Sequence, residues 1–318
     1  MCLVALAIDD SRRFPLVLAA NRDEFFDRPA ARLGWWTPDG GGPEILGGRD
    51  LSVGGTWLGL TAAGRLALVT NVRRPAAVDP NAPSRGGIVP NWLRTPMRPD
   101  QFWMQTSLSG YAPFNLIAAD FRLGDCFWAS NEQALPRRIE RGIVGLSNAA
   151  LDTPWPKVEA LKRRLAESLE AADTADALSQ RLFAALADRV EAADADLPNT
   201  GIGIERERFL SPAFIRSADG RYGTRCSTVI ITEKQKRHLV THVFERTFTP
   251  GQGVALLRRV TLKDWPPRYA ERPRAPAELP AVAETEVEAA ASTPLAAALV
   301  PAKRTRVRSL LKPTHKLL

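Results

Sequence analysis

Short, continuous apolar segments follow one another through the first 265 residues, and polar or glycine-containing turns separate them in pairs. Because each segment is apolar at consecutive rather than alternate positions, we expect strands that are buried on both faces. Four pairs predict β-hairpins: 2–8 with 15–20, 57–61 with 65–70, 114–120 with 125–130, and 226–232 with 238–246.

Two stretches between the third and fourth hairpins carry apolar residues at helical spacing. This spacing predicts one helix over 155–171 and a second over 174–190, with Thr174 as the cap of the second. Helices inserted among antiparallel strand pairs indicate a layered α+β architecture. The sequence contains no internal repeat, no parallel βαβ rhythm and no GxxxxGK[ST] phosphate-binding motif.

Cysteine content and hydropathy narrow the class of protein. Cysteines stand at positions 2, 126 and 226 without a CxxC pair, which argues against a disulfide framework and a thiolate zinc site. No apolar run approaches the ~20 residues of a membrane-spanning helix. The N-terminal apolar segment lacks a preceding basic stretch, so we expect no signal peptide. These features predict a cytoplasmic protein with no metal site.

Charge divides the chain into two parts. Residues 266–318 carry a net charge of +4, which is half of the chain's +8, and eight of its 25 prolines. This composition predicts a disordered Pro/Ala-rich tail behind a folded domain at 1–265. The alternative is that the basic end of the tail contacts an anionic surface. No aromatic residue interleaves its charges, so we expect no specific nucleic-acid binding.

Cys2 carries the sharpest chemical signal, because it directly follows the initiator methionine. We expect methionine removal before so small a side chain, which leaves a thiol and a free α-amine on one residue. An α-amine has a pKa of about 7.7–8, so it can serve as general base for its own side chain. The alternative is that Cys2 is a small apolar residue on the first strand.

The second predicted apolar strand, 15–20, leads directly into the polar segment Asn-Arg-Asp-Glu, which contains Arg22 and Asp23. In a hairpin, the end of the second strand lies beside the start of the first, so one of these residues should lie near Cys2. A guanidinium lowers the pKa of a neighbouring thiol, and a carboxylate can hold an α-ammonium in place. The alternative is a charged hairpin exit whose side chains are solvated or paired with each other.

Three more polar residues lie beside predicted strands. Asn71 and Asn148 are candidate hydrogen-bond donors to a tetrahedral oxyanion. Arg225 is a candidate to bind a substrate carboxylate or to support a thiolate. Each of them is also an ordinary residue for a strand end or turn.

Eight segments, in order, resemble the NRDE family, also called the transport-and-Golgi-organisation family. They run from residue 2 to about residue 230 and leave the basic tail outside. The family looks like the N-terminal-nucleophile hydrolases, particularly the choloylglycine and penicillin V acylases, which implies a four-layer αββα sandwich of antiparallel sheets. The segments are MC, LAANRDEFFDRP, GGRD, GGTWLGL, LVTN, FNLIAAD, GLSNAALDTPWPK and YGTRCSTVII.

The resemblance also implies a role for each candidate residue. The tight Arg-Asp spacing differs from that of the acylases, and Cys226 fits a core thiol rather than a second nucleophile. The implied catalytic set is Cys2 as nucleophile, Arg22 and Asp23 as supports for the thiolate and the amine, Asn71 and Asn148 as oxyanion donors, and Arg225 as the late arginine.

Two classes of function remain open at this point. One is Cys2-dependent hydrolysis or acyl transfer on a small amide or thioester, with no cofactor required. The other is a non-catalytic carrier of haem, an acyl-CoA or a lipid, because haem trafficking and lipid metabolism have been proposed for the family.

The sequence offers little support for a haem site. His238 and His242 are candidate iron ligands, but four residues along a strand separate them by ~13 Å, too far for one iron. Several tryptophans are candidates to line an apolar pocket, although core packing is the commoner role: Trp35, Trp36, Trp57, Trp128 and Trp155.

Overall fold

The computed structural model describes residues 2–75, 79, 81–250 and 254–267. The helices in these residues are α1 (Ile88–Arg94), α2 (Pro99–Ser107), α3 (Pro156–Ala171), α4 (Ala175–Leu186) and α5 (Ile204–Phe209). The strands are β1 (Cys2–Ile8), β2 (Leu16–Phe25), β3 (Ala30–Trp36), β4 (Ile45–Asp50), β5 (Leu58–Leu60), β6 (Arg65–Asn71), β7 (Phe114–Asp120), β8 (Asp125–Ser130), β9 (Arg137–Arg138), β10 (Gly142–Leu146), β11 (Tyr222–Gln235), β12 (His238–Phe248) and β13 (Val254–Lys263).

The strands form two antiparallel sheets. The first sheet has the order β10-β1-β2-β11-β12-β13, and the second has the order β3-β4-β5-β6-β7-β8-β9. All four predicted hairpins are confirmed as the antiparallel pairs β1–β2, β5–β6, β7–β8 and β11–β12. The strand that starts at Cys2 therefore lies inside its sheet, between β10 and β2.

Successive residues of β1 face different layers, because side chains alternate across a strand. Leu3 and Ala5 pack with α3 and α4 on the outer face of the first sheet. Val4 and Leu6 pack with residues of the second sheet, between the two sheets. The prediction that this apolar strand is buried on both faces is therefore confirmed.

Helices α1 and α2 cover the outer face of the second sheet. Trp92 of α1 and Phe102 of α2 pack with Val69 and Leu116 of the underlying strands. The layers therefore run helix, sheet, sheet, helix, which confirms the predicted four-layer αββα sandwich.

Two predicted boundaries are wrong. The helix predicted over 174–190 ends at Leu186. The Asp188 carbonyl accepts the Phe214 N–H at 2.7 Å, and the Asp188 carboxylate accepts the Val190 N–H at 3.0 Å, so both groups are used outside a helix. The second strand was predicted to end at residue 20 and instead continues to Phe25, since it pairs with β11 along its polar end.

The predicted tail begins at residue 266, and all of it beyond Pro267 lies outside the described residues. Its disorder and its contact with an anionic surface therefore stay predictions. Among the helices that the structure describes, none has the length and apolar character needed to cross a bilayer.

Candidate active site

Cys2 lies at the boundary between the apolar core that the two sheets enclose and a cleft that opens beside it. It shares the strand face of Val4 and Leu6, so its side chain is directed between the two sheets. The residue is 7% exposed and lines a cleft of about 450 Å³. Its backbone carbonyl accepts a hydrogen bond from Ser147 Oγ at 2.9 Å, which fixes the start of the strand.

Burial raises the pKa of the Cys2 thiol, because the low-dielectric surroundings disfavour the thiolate. The thiol is therefore protonated at neutral pH and requires a base before it can attack a carbonyl. Cys226 also lines the cleft, and burial raises its pKa as well. Cys226 is buried, as the prediction of a core thiol requires.

Side chains alternate between the two faces of strand β2, so the residues of the Asn-Arg-Asp-Glu segment are divided between the cleft side and the helical side of the sheet. Arg22 is the direct neighbour of Cys2 across the strand pair, on the cleft side. Its Nη2 lies 3.4 Å from Glu24 Oε2 and 3.7 Å from Asp50 Oδ2. The adjacent Arg22 and Asp23 therefore lie on opposite faces of the sheet, near the start of the strand that carries Cys2.

Asn21 and Asp23 face the helical layer. Asn21 Nδ2 donates to the carbonyls of Leu186 and Ala213, both at 2.8 Å, which ties α4 and the following loop to the sheet. Asp23 is buried, and its Oδ1 accepts a hydrogen bond from Thr224 Oγ1 at 2.7 Å. Burial raises the pKa of Asp23, and the positive charge of Lys157 opposes that shift.

A buried charge cluster lies behind the first sheet and consists of Asp23, Arg73, Lys157 and Glu207. Arg73 Nη1 donates to Glu207 Oε2, and its guanidinium lies 4.5 Å from the centre of the Trp155 ring. Lys157 Nζ donates to the Leu210 carbonyl at 2.7 Å. Two basic and two acidic side chains are thus buried together.

Because of Lys157, the free energy of unfolding should depend on pH in the alkaline range. Burial lowers its pKa from 10.5 to about 8, so the unfolded chain binds the Lys157 proton more tightly than the folded chain does. The free energy of unfolding is therefore expected to rise between about pH 8 and 10.5. Lys157→Met should remove this rise, as measured by urea unfolding at several pH values.

Lys162→Met is the matched control, because Lys162 lies on the same helix with its side chain 23% exposed and paired with Asp152. The pKa of Lys162 is raised by these contacts, so its loss should leave the rise above pH 8 in place. An identical pH profile for wild type and Lys157→Met would contradict the assignment.

The two asparagines meet at the junction of the sheets. Asn148 Nδ2 donates to the Asn71 carbonyl at 2.8 Å, and the Arg73 N–H donates to the Asn148 carbonyl at 2.7 Å. Asn71 lines the cleft, whereas Asn148 is buried and does not line it. The oxyanion roles of both residues stay predictions.

Arg225 lies on β11, lines the cleft and forms hydrogen bonds with the connection between β2 and β3. Its Nη1 donates to the carbonyls of Phe25 at 2.6 Å and Arg28 at 3.0 Å. Its guanidinium lies 5.2 Å from the centre of the Phe26 ring. Of the six predicted residues, the cleft therefore brings together Cys2, Arg22, Asp23, Asn71 and Arg225.

Sequence reasoning missed several residues of the site. The two-residue period of β2 could have placed Glu24 beside Arg22, had the strand been extended past residue 20. Lys157 lies in the TPWPK segment that carried the family resemblance, but a lysine at a helix start gives no sign of burial. Arg85 also lines the cleft, and it lies in no segment that was singled out.

The remaining candidates lie elsewhere. His238 is exposed and forms a hydrogen bond with Asp264, whereas His242 forms one with Thr261. Neither histidine lines the cleft. Among the five tryptophans considered, Trp57 lines the cleft. Within the described residues, no group of three or more His, Cys, Asp or Glu side chains is arranged to hold a metal ion.

Fold and site together define an αββα sandwich with a cysteine at the start of a central strand, facing a cleft between the sheets. The chain belongs to the Transport and Golgi organisation 2 family, whose model matches residues 1–250. The bovine homologue of that protein is 35% identical over 255 residues, covering 73% of this chain and 89% of its own length. The human homologue is 34% identical over 252 residues, with the same coverage.

Solved structures with a similar arrangement have very different sequences. A Caenorhabditis elegans orthologue of N-acylethanolamine-hydrolyzing acid amidase has a TM-score of 0.40 and 10% identity, covering 72% of this chain and 92% of its own. A mutant conjugated bile acid hydrolase from Clostridium perfringens has a TM-score of 0.41 and 9% identity, covering 82% and 92%.

Proposed function

We propose that this protein hydrolyses, or transfers the acyl group of, a small amide or thioester, with Cys2 as the nucleophile. One observation carries the proposal: Cys2 begins a central strand and faces a cleft, with Arg22 beside it and Asp23 on the opposite face of the neighbouring strand.

The reaction starts once Met1 has been removed. The α-amine of Cys2 takes the thiol proton, and Sγ attacks the carbonyl carbon of the substrate. Asn71 is the candidate donor to the oxyanion from the cleft wall. Collapse of the tetrahedral intermediate breaks the C–N or C–S bond, and the leaving amine or thiol takes the proton from the α-ammonium.

The second half of the reaction resolves the acyl-enzyme thioester. Water gives a proton to the α-amine and attacks the acyl carbon, which releases a carboxylic acid and restores the thiol. In acyl transfer, an acceptor amine replaces water. Arg22 favours the thiolate form, and Asp23 holds the α-ammonium from the helical side, so no cofactor is needed.

Intact-mass analysis of the purified protein tests the first step. We expect a mass without Met1, and one added acyl group after incubation with a simple acyl thioester such as S-octanoyl-N-acetylcysteamine. Peptide mapping should place the group on Cys2. Cys226→Ala is the matched control and should keep the adduct, because that thiol has no amine of its own.

Retention of Met1, or an adduct on Cys226 instead of Cys2, would overturn the proposal. Without denaturation, the same spectra report non-covalent cargo. Copurified haem, acyl-CoA or lipid, retained equally by Cys2→Ala, would indicate the carrier alternative.

A further inference from the structure

The cleft that contains Cys2 is unusually rich in arginine. Four acidic residues also border it, Asp23, Glu24, Asp50 and Glu245, although the Asp23 carboxyl group is directed towards the helical layer. The lining arginines are Arg22, Arg28, Arg32, Arg49, Arg85 and Arg225. Whether the cleft carries net charge therefore depends on which of these groups neutralise one another.

Two of the arginines are neutralised inside the cleft. Arg28 Nε lies 2.6 Å from Asp50 Oδ2, and Arg22 lies between Glu24 and Asp50. These two arginines and two carboxylates form a balanced network. Arg49 is paired with Asp39, a residue that does not line the cleft. Its Nη2 donates to both carboxylate oxygens of Asp39, at 2.7 and 2.8 Å.

Three arginines remain without a carboxylate partner in the part of the chain that the structure describes: Arg32, Arg85 and Arg225. Arg85 Nη1 donates to the Pro113 carbonyl at 3.0 Å, and Arg225 also donates only to carbonyls. No side-chain hydrogen bond of Arg32 occurs within the described residues. Peptide carbonyls leave the charge of a guanidinium uncompensated.

The two other carboxyl groups are buried and hydrogen-bonded to other groups, and neither forms an ion pair with these arginines, although the charge of Arg32 acts on Glu245 from a distance. Asp23 belongs to the buried charge cluster and bonds to Thr224. Glu245 is buried, and its Oε1 accepts the Leu33 N–H at 2.7 Å. Burial raises the pKa of both carboxyl groups.

We infer that Arg32, Arg85 and Arg225 form an anion subsite, which binds a carboxylate or phosphate group on the ligand of the Cys2 cleft. A guanidinium presents paired N–H donors that match both oxyanions, and a partly enclosed cleft strengthens the attraction. The inference deepens the proposed function, since it assigns the substrate an anionic group besides the scissile carbonyl.

Calorimetric titration of the full-length Cys2→Ala protein tests the subsite separately from catalysis. The probes share a phenyl group: phenylacetate, phenyl phosphate and neutral phenylacetamide. We expect at least one anion to bind about tenfold or more tightly than phenylacetamide. Tighter binding of phenylacetate would indicate a carboxylate ligand, and tighter binding of phenyl phosphate would indicate a phosphate ligand.

Variants assign the binding to the subsite. In the Cys2→Ala background, Arg85→Gln and Arg32→Gln should each weaken anion binding several-fold and leave phenylacetamide unaffected. Arg32 makes no side-chain bond in the described structure, so its variant keeps the test valid if Arg85→Gln is unstable. Arg163→Gln is the charge-matched control on exposed helix surface and should bind like the parent.

Equal binding of the anions and phenylacetamide, or no anion binding at millimolar concentrations, would overturn the subsite. An equal loss of anion affinity in Arg32→Gln and Arg163→Gln would also overturn the subsite. Because Cys2→Ala cannot form an acyl-enzyme, intact anion binding beside an inactive wild type would contradict only the proposed function.

Discussion

Cys2→Ala is expected to reduce turnover of an amide or thioester substrate by roughly 10⁴-fold or more. Alanine removes the sulfur that forms the acyl-enzyme, and Cys226, the other thiol of the cleft, has no α-amine to deprotonate it. The measurement is the steady-state rate of acyl release with any thioester that acylates the wild type. Cys126→Ala, which removes a buried thiol outside the cleft, should retain full activity.

An uncleavable N-terminal extension should have nearly the same effect. Adding residues before Cys2 keeps the thiol but converts its α-amine into an amide, which cannot accept a proton at neutral pH. A matched protein with the same extension and a protease site directly before Cys2 should regain activity after cleavage. Full activity with the blocked amine would show that another group is the base.

Arg73→Met is expected to lower the free energy of unfolding by about 3–5 kcal/mol. Arg73 and Glu207 are paired with side chains only 4% and 3% exposed, so removing the cation leaves a buried carboxylate without its partner. The guanidinium also covers the Trp155 ring, and methionine removes this contact as well. Urea unfolding followed by tryptophan fluorescence provides the measurement.

Two further variants separate charge from packing. Arg74→Met is the neighbouring control, because Arg74 is 53% exposed and its loss should change stability by less than about 0.5 kcal/mol. The double variant Arg73→Met with Glu207→Met removes both charges and should recover part of the loss. A double variant as unstable as the sum of the two single variants would contradict the pairing argument.

Local patterns were sufficient to predict much of the fold. Apolar runs and turn residues identified the four hairpins, because the interactions that specify them lie within about 25 residues of sequence. They also placed either Arg22 or Asp23 near Cys2, and the strand register shows that Arg22 is its direct neighbour. The alternation that separates Arg22 from Asp23 was available in principle but required knowing that β2 continues through both residues.

The rest of the site depends on contacts between distant parts of the chain. Arg73 and Glu207 are 134 residues apart, and Asp23 and Thr224 are 201 apart. No local pattern distinguishes such buried charges from solvated ones. Arg85 gave no signal either, because its place in the cleft depends on how the segment after β6 returns towards the first sheet.

The junction between the sheets has a consequence for the order of folding. Cys2 and Arg22 belong to the first sheet, whereas Asn71 belongs to the second, and Thr70 Oγ1 and Asn148 Nδ2 form hydrogen bonds across the junction. Contacts between residues so distant in sequence form slowly. Cys2 therefore acquires its native surroundings only when the two sheets dock. A chain still emerging from the ribosome therefore carries an ordinary cysteine, and the reactivity proposed for Cys2 would begin only with the native state.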